Sequence, residues 1–275
     1  PTLTFEDRYC FELGGVRFEL LATPGGETRD STCVWLPDRR IAFVGNVFGA
    51  LFGHFPNLVT VRGDRYRFAI PFIEAVDRVL ALEAELLLTG HFAPIRGADT
   101  IRAELTRLRD AVQHVHDETV RGMNEGKDVF TLMREIRLPA RLEVGEGYGC
   151  VAWGVRAIWE SYAGWFHQSS TTELYPTPVC EVYPDVVALA GGPEIVADAA
   201  RERLAGGDAV GAIHLAEMAL AAKGDSRPAL EAFLAAHERL FAQRAGENFW
   251  ETGWLRHQIE RARRSLAMLD EKTAR

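Results

Sequence analysis

The sequence predicts an α/β domain that gives way near residue 100 to an all-α domain. Three observations predict it. Residues 1 to 60 hold short alternating apolar runs broken by turn residues. A helix-spaced segment over 68–82 then returns to a buried strand, as a layered α/β domain requires. Beyond residue 100 nearly every apolar position recurs at helical spacing.

The elements follow in order. Tyr9–Leu13 and Val16–Leu20 flank Gly14-Gly15, which predicts a hairpin. Thr23-Pro24-Gly25-Gly26 breaks the pattern. Thr32–Leu36 and Ile41–Val44 are further strands, parted by the polar turn Pro37–Arg40. Glu85–Thr89 is a buried strand running into Gly90-His91. Asp99 is placed to cap a long helix over 100–125, with Ala103, Leu105, Leu108 and Val112 facing inward. Val151–Trp165 is a helix rich in aromatic residues, and Pro176, Pro178 and Pro184 mark an extended connector. Residues 193–265 form several helices separated by Gly206-Gly207-Asp208, Gly224-Asp225 and Ala245-Gly246. The spacing of Ala209, Ala212, Ala216 and Ala219 resembles a tetratricopeptide-type hairpin.

Composition narrows the function classes. A net charge of −8 with no basic run argues against a nucleic-acid partner. No apolar stretch is long enough to span a membrane. No signal peptide is visible, which favours the cytoplasm. Cys10, Cys33, Cys150 and Cys180 form no CxxC pair and read as buried free thiols. Pro1 in place of Met, with immediate entry into a strand, leads to the expectation that the chain is part of something longer.

Three strand-to-loop junctions carry groups able to bind a metal or act on a substrate: Thr23–Glu27, Val44–Phe48 and Leu88–His91. Singly, Glu27 after Gly-Gly and Asn46 after Gly45 read as turn residues, and His91 as a hydrogen-bonded histidine. Their order is what points to chemistry.

That order resembles the later motifs of the metallo-β-lactamase superfamily, and more closely its alkylsulfatase branch. Thr23-Pro24-Gly25-Gly26-Glu27 is similar to the branch's Thr-Pro-Gly-Thr-Glu, Asn46 stands at the place of the bridging carboxylate, and Gly90–Pro94 matches Ser-His-His-Trp-Pro. Asn57–Gly63 is similar to Asn-Leu-x-Thr-Leu-Arg-Gly. His116–Val120, Tyr148-Gly149, Tyr162–Phe166 and Asn248–Gly253 extend the likeness through the helical half. The resemblance implies a partial metallo-β-lactamase-like αββα sandwich over residues 1–100 and an alkylsulfatase-type dimerisation domain over 101–275. It further implies one or two zinc ions, an anionic ester substrate and a homodimer. Glu27, His91 and Asn46 would hold metal, and Asn46 would alternatively orient the attacking water. Arg62 would grip the anion, helped by Asn57, as suits a planar, permanently charged fork.

The sequence departs from the family at three places. The opening His-x-His-x-Asp-His motif is absent, and His114-Val115-His116-Asp117 lies in the wrong order, within a predicted helix. Asn46 replaces a carboxylate. Trp153 stands where the family has a substrate-contacting His, and His167 is a second candidate for that pocket. Catalytic zinc needs about three protein ligands and an open position. Glu27 and His91 supply two and Asn46 a weak third, so either a missing N-terminal half supplies the His-rich motif or the protein has lost catalysis. The leading expectation is a metal-dependent hydrolase of alkylsulfatase type, incomplete in this chain. The alternatives are a non-catalytic dimeric scaffold that kept the fold, or a helical-repeat interaction module.

Overall fold

The computed structural model describes residues 1–59 and 67–273. It comprises two compact units, Pro1–Trp165 and Phe166–Arg275.

The first unit is built on one sheet in the order β1 (Arg8–Leu13), β2 (Val16–Ala22), β3 (Thr32–Leu36), β4 (Ile41–Gly45), β5 (Leu86–Thr89) and β6 (Ile95–Arg96). The β1–β2 turn has positive φ at both Gly14 and Gly15, as the expected hairpin needs. All neighbouring strands are antiparallel except β4 and β5, which run parallel. Their crossover includes α1 (Ala69–Leu80). Phe72, Ile73, Val76 and Val79 bury one stripe of that helix, and Pro71 is tolerated in its first turn.

Helices α2 (Ala98–Asn124), α3 (Val129–Glu135) and α4 (Val151–Ala163) complete the unit. Leu105, Leu108 and Val112 are buried as expected and share one core with Leu87, Val44 and Phe72. The composition shift near residue 100 coincides with the last strand, while the packed unit runs on to Trp165. Two details of α2 differ from expectation. Ala103 is exposed, because it lies two positions from Leu105 and therefore on nearly the opposite face; Ile101 takes the inner place. Asp99 is not the cap. Gly97 is, and Asp99 sits in the first turn paired with Arg102, where its charge still suits the helix dipole.

The other face of the sheet is also apolar. Cross-strand pairing lines up Tyr9, Leu20, Val34, Phe43 and Leu88 in one row. Phe11 and Phe18 stack beside it with ring centroids 5.1 Å apart. Phe43 is 42% exposed, and none of the five is fully buried. A solvated antiparallel face normally carries polar residues, so this one has the character of a surface built to be covered.

The second unit is helical: α5 (Tyr183–Leu189), α6 (Pro193–Ala205), α7 (Ala209–Ala222), α8 (Arg227–Arg244) and α9 (Phe249–Thr273). The breaks fall at the three glycine-containing segments. Ala209, Ala212, Ala216 and Ala219 are all buried, and small residues of α6, α7, α8 and α9 make its cores. The proline-marked connector is less extended than expected. It holds two 3-10 turns, and Pro184 opens α5, where its missing N–H costs nothing.

At the start of this unit Glu173 gathers the preceding loop. Its carboxylate accepts hydrogen bonds from the Ser169 hydroxyl and from the backbone N–H groups of His167 (2.6 Å), Ser170 (2.9 Å) and Ser169 (3.1 Å). These bonds, the Ser169 hydroxyl foremost, hold its pKa down to about 2. A depressed carboxylate pKa stabilises above the unfolded value and ceases to do so as pH falls through the folded one. Amide exchange at His167, Ser169 and Ser170 is therefore expected to be slow at neutral pH, after correction for intrinsic rates. Protection should fall between about pH 4.5 and pH 2. In Glu173→Gln the step should vanish, and an unchanged acid profile would contradict the assignment.

Two of the four cysteines, Cys33 and Cys150, are buried as expected, while Cys10 and Cys180 are exposed. Burial pushes the Cys33 and Cys150 thiols up to about 11, which leaves them unreactive at neutral pH.

Candidate functional site

The three junctions lie at one end of the sheet. β2 is antiparallel to β3, β3 to β4, and β4 is parallel to β5. Strands β2, β4 and β5 therefore all point the same way, and the loops after them emerge together. Glu27, Asn46 and His91 are carried by those loops. The carboxyl ends of same-direction strands are where α/β sheets display ligand-binding groups.

Local contacts draw the junctions closer. The Gly90 N–H donates to the Gly45 carbonyl at 2.8 Å, which joins the Asn46 and His91 loops. A Cβ on Gly90 would meet Asn46 Oδ1, which shows how closely the end of that side chain approaches the His91 loop. Asn46 Oδ1 is itself buried and accepts no hydrogen bond from the described residues. The third loop is tied in by Arg67, a residue the sequence reading passed over. Arg67 Nε donates to the Gly26 carbonyl, beside Glu27, and Nη2 donates to the Asn46 carbonyl at 3.2 Å. Arg67 is 1% exposed, and Nη1 has no acceptor among the described residues. The Tyr148 ring covers the guanidinium with its centroid 5.9 Å from Cζ.

The remaining candidates are placed as follows. Glu27 is half-buried, and His91 is exposed beside Phe92 with ring centroids 6.4 Å apart. Asn57 is 1% exposed and its Nδ2 has no acceptor among the described residues. The Gly149 N–H donates to the Phe55 carbonyl at 2.9 Å, linking the Asn57 segment to the one that enters α4. Trp153 is half-buried on α4. Arg62 lies outside the described residues. His114 and His116 lie within α2. His114 meets the Arg137 carbonyl at 3.1 Å, and His116 lies between Asp117 (2.9 Å) and the Tyr162 hydroxyl (2.8 Å). Two of the family-like segments, His116-Asp117 and Tyr162–Phe166, thus meet through that contact. His167 belongs to the loop gathered by Glu173.

The donors do not by themselves make a metal centre. Among the described residues no group of three His, Cys, Asp or Glu side chains could hold an ion. Asn46 offers a neutral amide oxygen, buried against Gly90. Glu27 and His91 are two potential donors, fewer than the roughly three protein ligands a catalytic zinc takes.

Comparison with known proteins bears on this arrangement. A family model described as "Alkyl sulfatase dimerisation" matches residues 131–257. A linear primary-alkylsulfatase of a Pseudomonas species is 31% identical over 232 residues, covering 82% of this chain and 43% of its own length. Alkyl/aryl-sulfatase BDS1 of Saccharomyces cerevisiae is 26% identical over 191 residues, or 67% of this chain and 29% of that protein. Among solved structures, the stereoselective inverting sec-alkylsulfatase Pisa1 from Pseudomonas superposes on 94% of this chain and 41% of its own, with a TM-score of 0.84 at 23% identity. That similarity shows a shared fold. The chain belongs to the alkylsulfatase branch that its motifs resemble. It spans less than half the length of these relatives.

Proposed function

We propose that this chain is the region of an alkylsulfatase-type hydrolase that carries one wall of the ester pocket together with the dimerisation helices. The observation that carries the reading is the common direction of β2, β4 and β5, which presents Glu27, Asn46 and His91 at one sheet end. In the whole protein the substrate is a sulfate or other anionic ester. Arg62 and Asn57 hold the anion, and Trp153 shapes the pocket in place of a histidine. Zinc is the metal this branch implies, and it would supply Lewis acidity. Glu27 and His91 would contribute ligands, completed by groups from elsewhere in the protein, with Asn46 a neutral neighbour. The apolar outer face of the sheet would then be covered by the second sheet of the sandwich. Sheets so packed lie about 10 Å apart with interdigitated side chains.

A homodimer belongs to the same reading. It is supported by the dimerisation family match and by exposed apolar side chains of the second unit, among them Leu189 (89%), Phe249 (66%) and Trp254 (62%). No described helix is long and apolar enough to cross a membrane.

A second reading, a dimeric scaffold without catalysis, is favoured by the buried Asn46 oxygen, which has no partner among the described residues, and by the incomplete ligand set there. One experiment separates the two. Zinc per chain is measured on protein purified without added metal, with intact mass and sulfate release from a linear alkyl sulfate on the same sample. Bound zinc with sulfate release is expected of the hydrolase. Metal-free, inactive dimers of the whole protein would establish the scaffold instead, whereas an inert 30.6 kDa chain by itself is expected under both readings.

A further inference from the structure

We propose that Arg67 is a positioning residue that sets the loops bearing Glu27 and Asn46 in register with one another. The proposal rests on the reading of that sheet end as the pocket wall. Its starting point is an imbalance. Arg67 is fully buried, and removing a guanidinium from water is costly unless good partners replace the solvent. Its hydrogen-bond acceptors among the described residues are backbone carbonyls, and Nη1 has none. A buried apolar side chain of similar volume would fill the same space at lower cost. Stability of the core therefore does not account for an arginine at this position.

Geometry accounts for it. Strands β2 and β4 are separated by β3, so no ladder bond joins the loops that follow them. The guanidinium bridges the gap with one planar group. Nε reaches the Gly26 carbonyl and Nη2 the Asn46 carbonyl. Those acceptors stand beside Glu27 and on Asn46 themselves. Two further contacts fix the fork. The Val59 N–H donates to the Arg67 carbonyl at 3.0 Å, and the Tyr148 ring covers the guanidinium. Tyr148 is held in turn against Gly49, where a Cβ would lie 2.6 Å from the ring. Four chain segments thus meet at Arg67. Lysine has a single charged tip and cannot hold two carbonyls in this fixed spacing.

The test uses the full chain with Arg67→Lys and Arg67→Met, read by amide hydrogen exchange. Exchange is expected to rise about tenfold or more in peptides covering residues 23–31 and 45–49, while α2 changes by less than about twofold. Wild-type protection of both loops in Arg67→Lys would overturn the proposal, because charge alone would then suffice. An equal rise along α2 would also overturn it, because the residue would then be a core anchor. Tyr148→Leu removes the cover and leaves the fork. It should give a smaller rise confined to the same loops, and it keeps the test decisive if Arg67→Met does not fold. Where the wild-type protein releases sulfate from an alkyl sulfate, Arg67→Lys should lower kcat about tenfold with KM within about threefold. An unchanged kcat would overturn the positioning role. If the whole wild-type protein releases no sulfate, the hydrolase reading fails by itself, and loop exchange still decides the role of Arg67.

Discussion

Leu105→Ala is expected to destabilise the first unit by about 3 kcal/mol and to do so through the sheet. Leu105 is 0% exposed and packs in the core that also contains Leu87 of β5 and Val44 of β4. Truncation removes buried methyl groups and leaves a cavity that rigid neighbours close only in part. The cores of the second unit share no residue with this one. Denaturant unfolding followed by hydrogen exchange should show lost protection in β2 to β5 and α2, with α7 and α8 unchanged. The result distinguishes two ways of dividing the chain. A folding boundary at residue 100 would send the damage into the helices instead, and that outcome would remove α2 from the sheet unit.

Gly25→Ala is expected to cost a similar amount, about 3 kcal/mol, by two effects acting together. Gly25 has φ of 87°, a backbone conformation that penalises any side chain. An added Cβ would also overlap Pro71, whose ring and backbone are fixed in the first turn of α1. Nothing flexible is available to give way. Gly90→Ala makes an instructive contrast, because its Cβ would meet the end of the Asn46 side chain. A rotation of Asn46 relieves that clash, so Gly90→Ala should unfold near the wild-type midpoint. A midpoint for Gly25→Ala close to that of Gly90→Ala would refute the packing argument.

Strands β1 to β5, α1, α2, α4 and the alanine seam of α7 were legible because their signals are local, whereas the two-residue β6 is too short to carry one. Alternation, helical spacing and glycine breaks are all read within a dozen or so residues. Ala103 misled because an apolar letter was counted although its two-residue offset from Leu105 turns it outward, and Asp99 misled because the helix begins two residues earlier, which moves the cap to Gly97. The short helices around Pro184 were missed because proline reads as a breaker from sequence yet opens a helix well. At the site, the order of Glu27, Asn46 and His91 could be read along the chain. Their convergence could not, since it depends on β2, β4 and β5 sharing a direction. Arg67 was invisible for a related reason: its partners are backbone carbonyls, which have no letter in the sequence.

The parallel pairing of β4 with β5 sets the order in which this sheet end can assemble. The β1–β2 hairpin closes through two residues, and hairpins of that kind form in about 1–10 μs. Ile41 cannot meet Leu86 until the whole crossover containing α1 has been drawn in, and closing a longer loop forfeits more chain entropy first. The Asn46 and His91 loops are joined by that pairing, so the sheet end should be among the last parts of the first unit to take shape. A chain emerging from the ribosome would display its aromatic hairpin well before that sheet end exists.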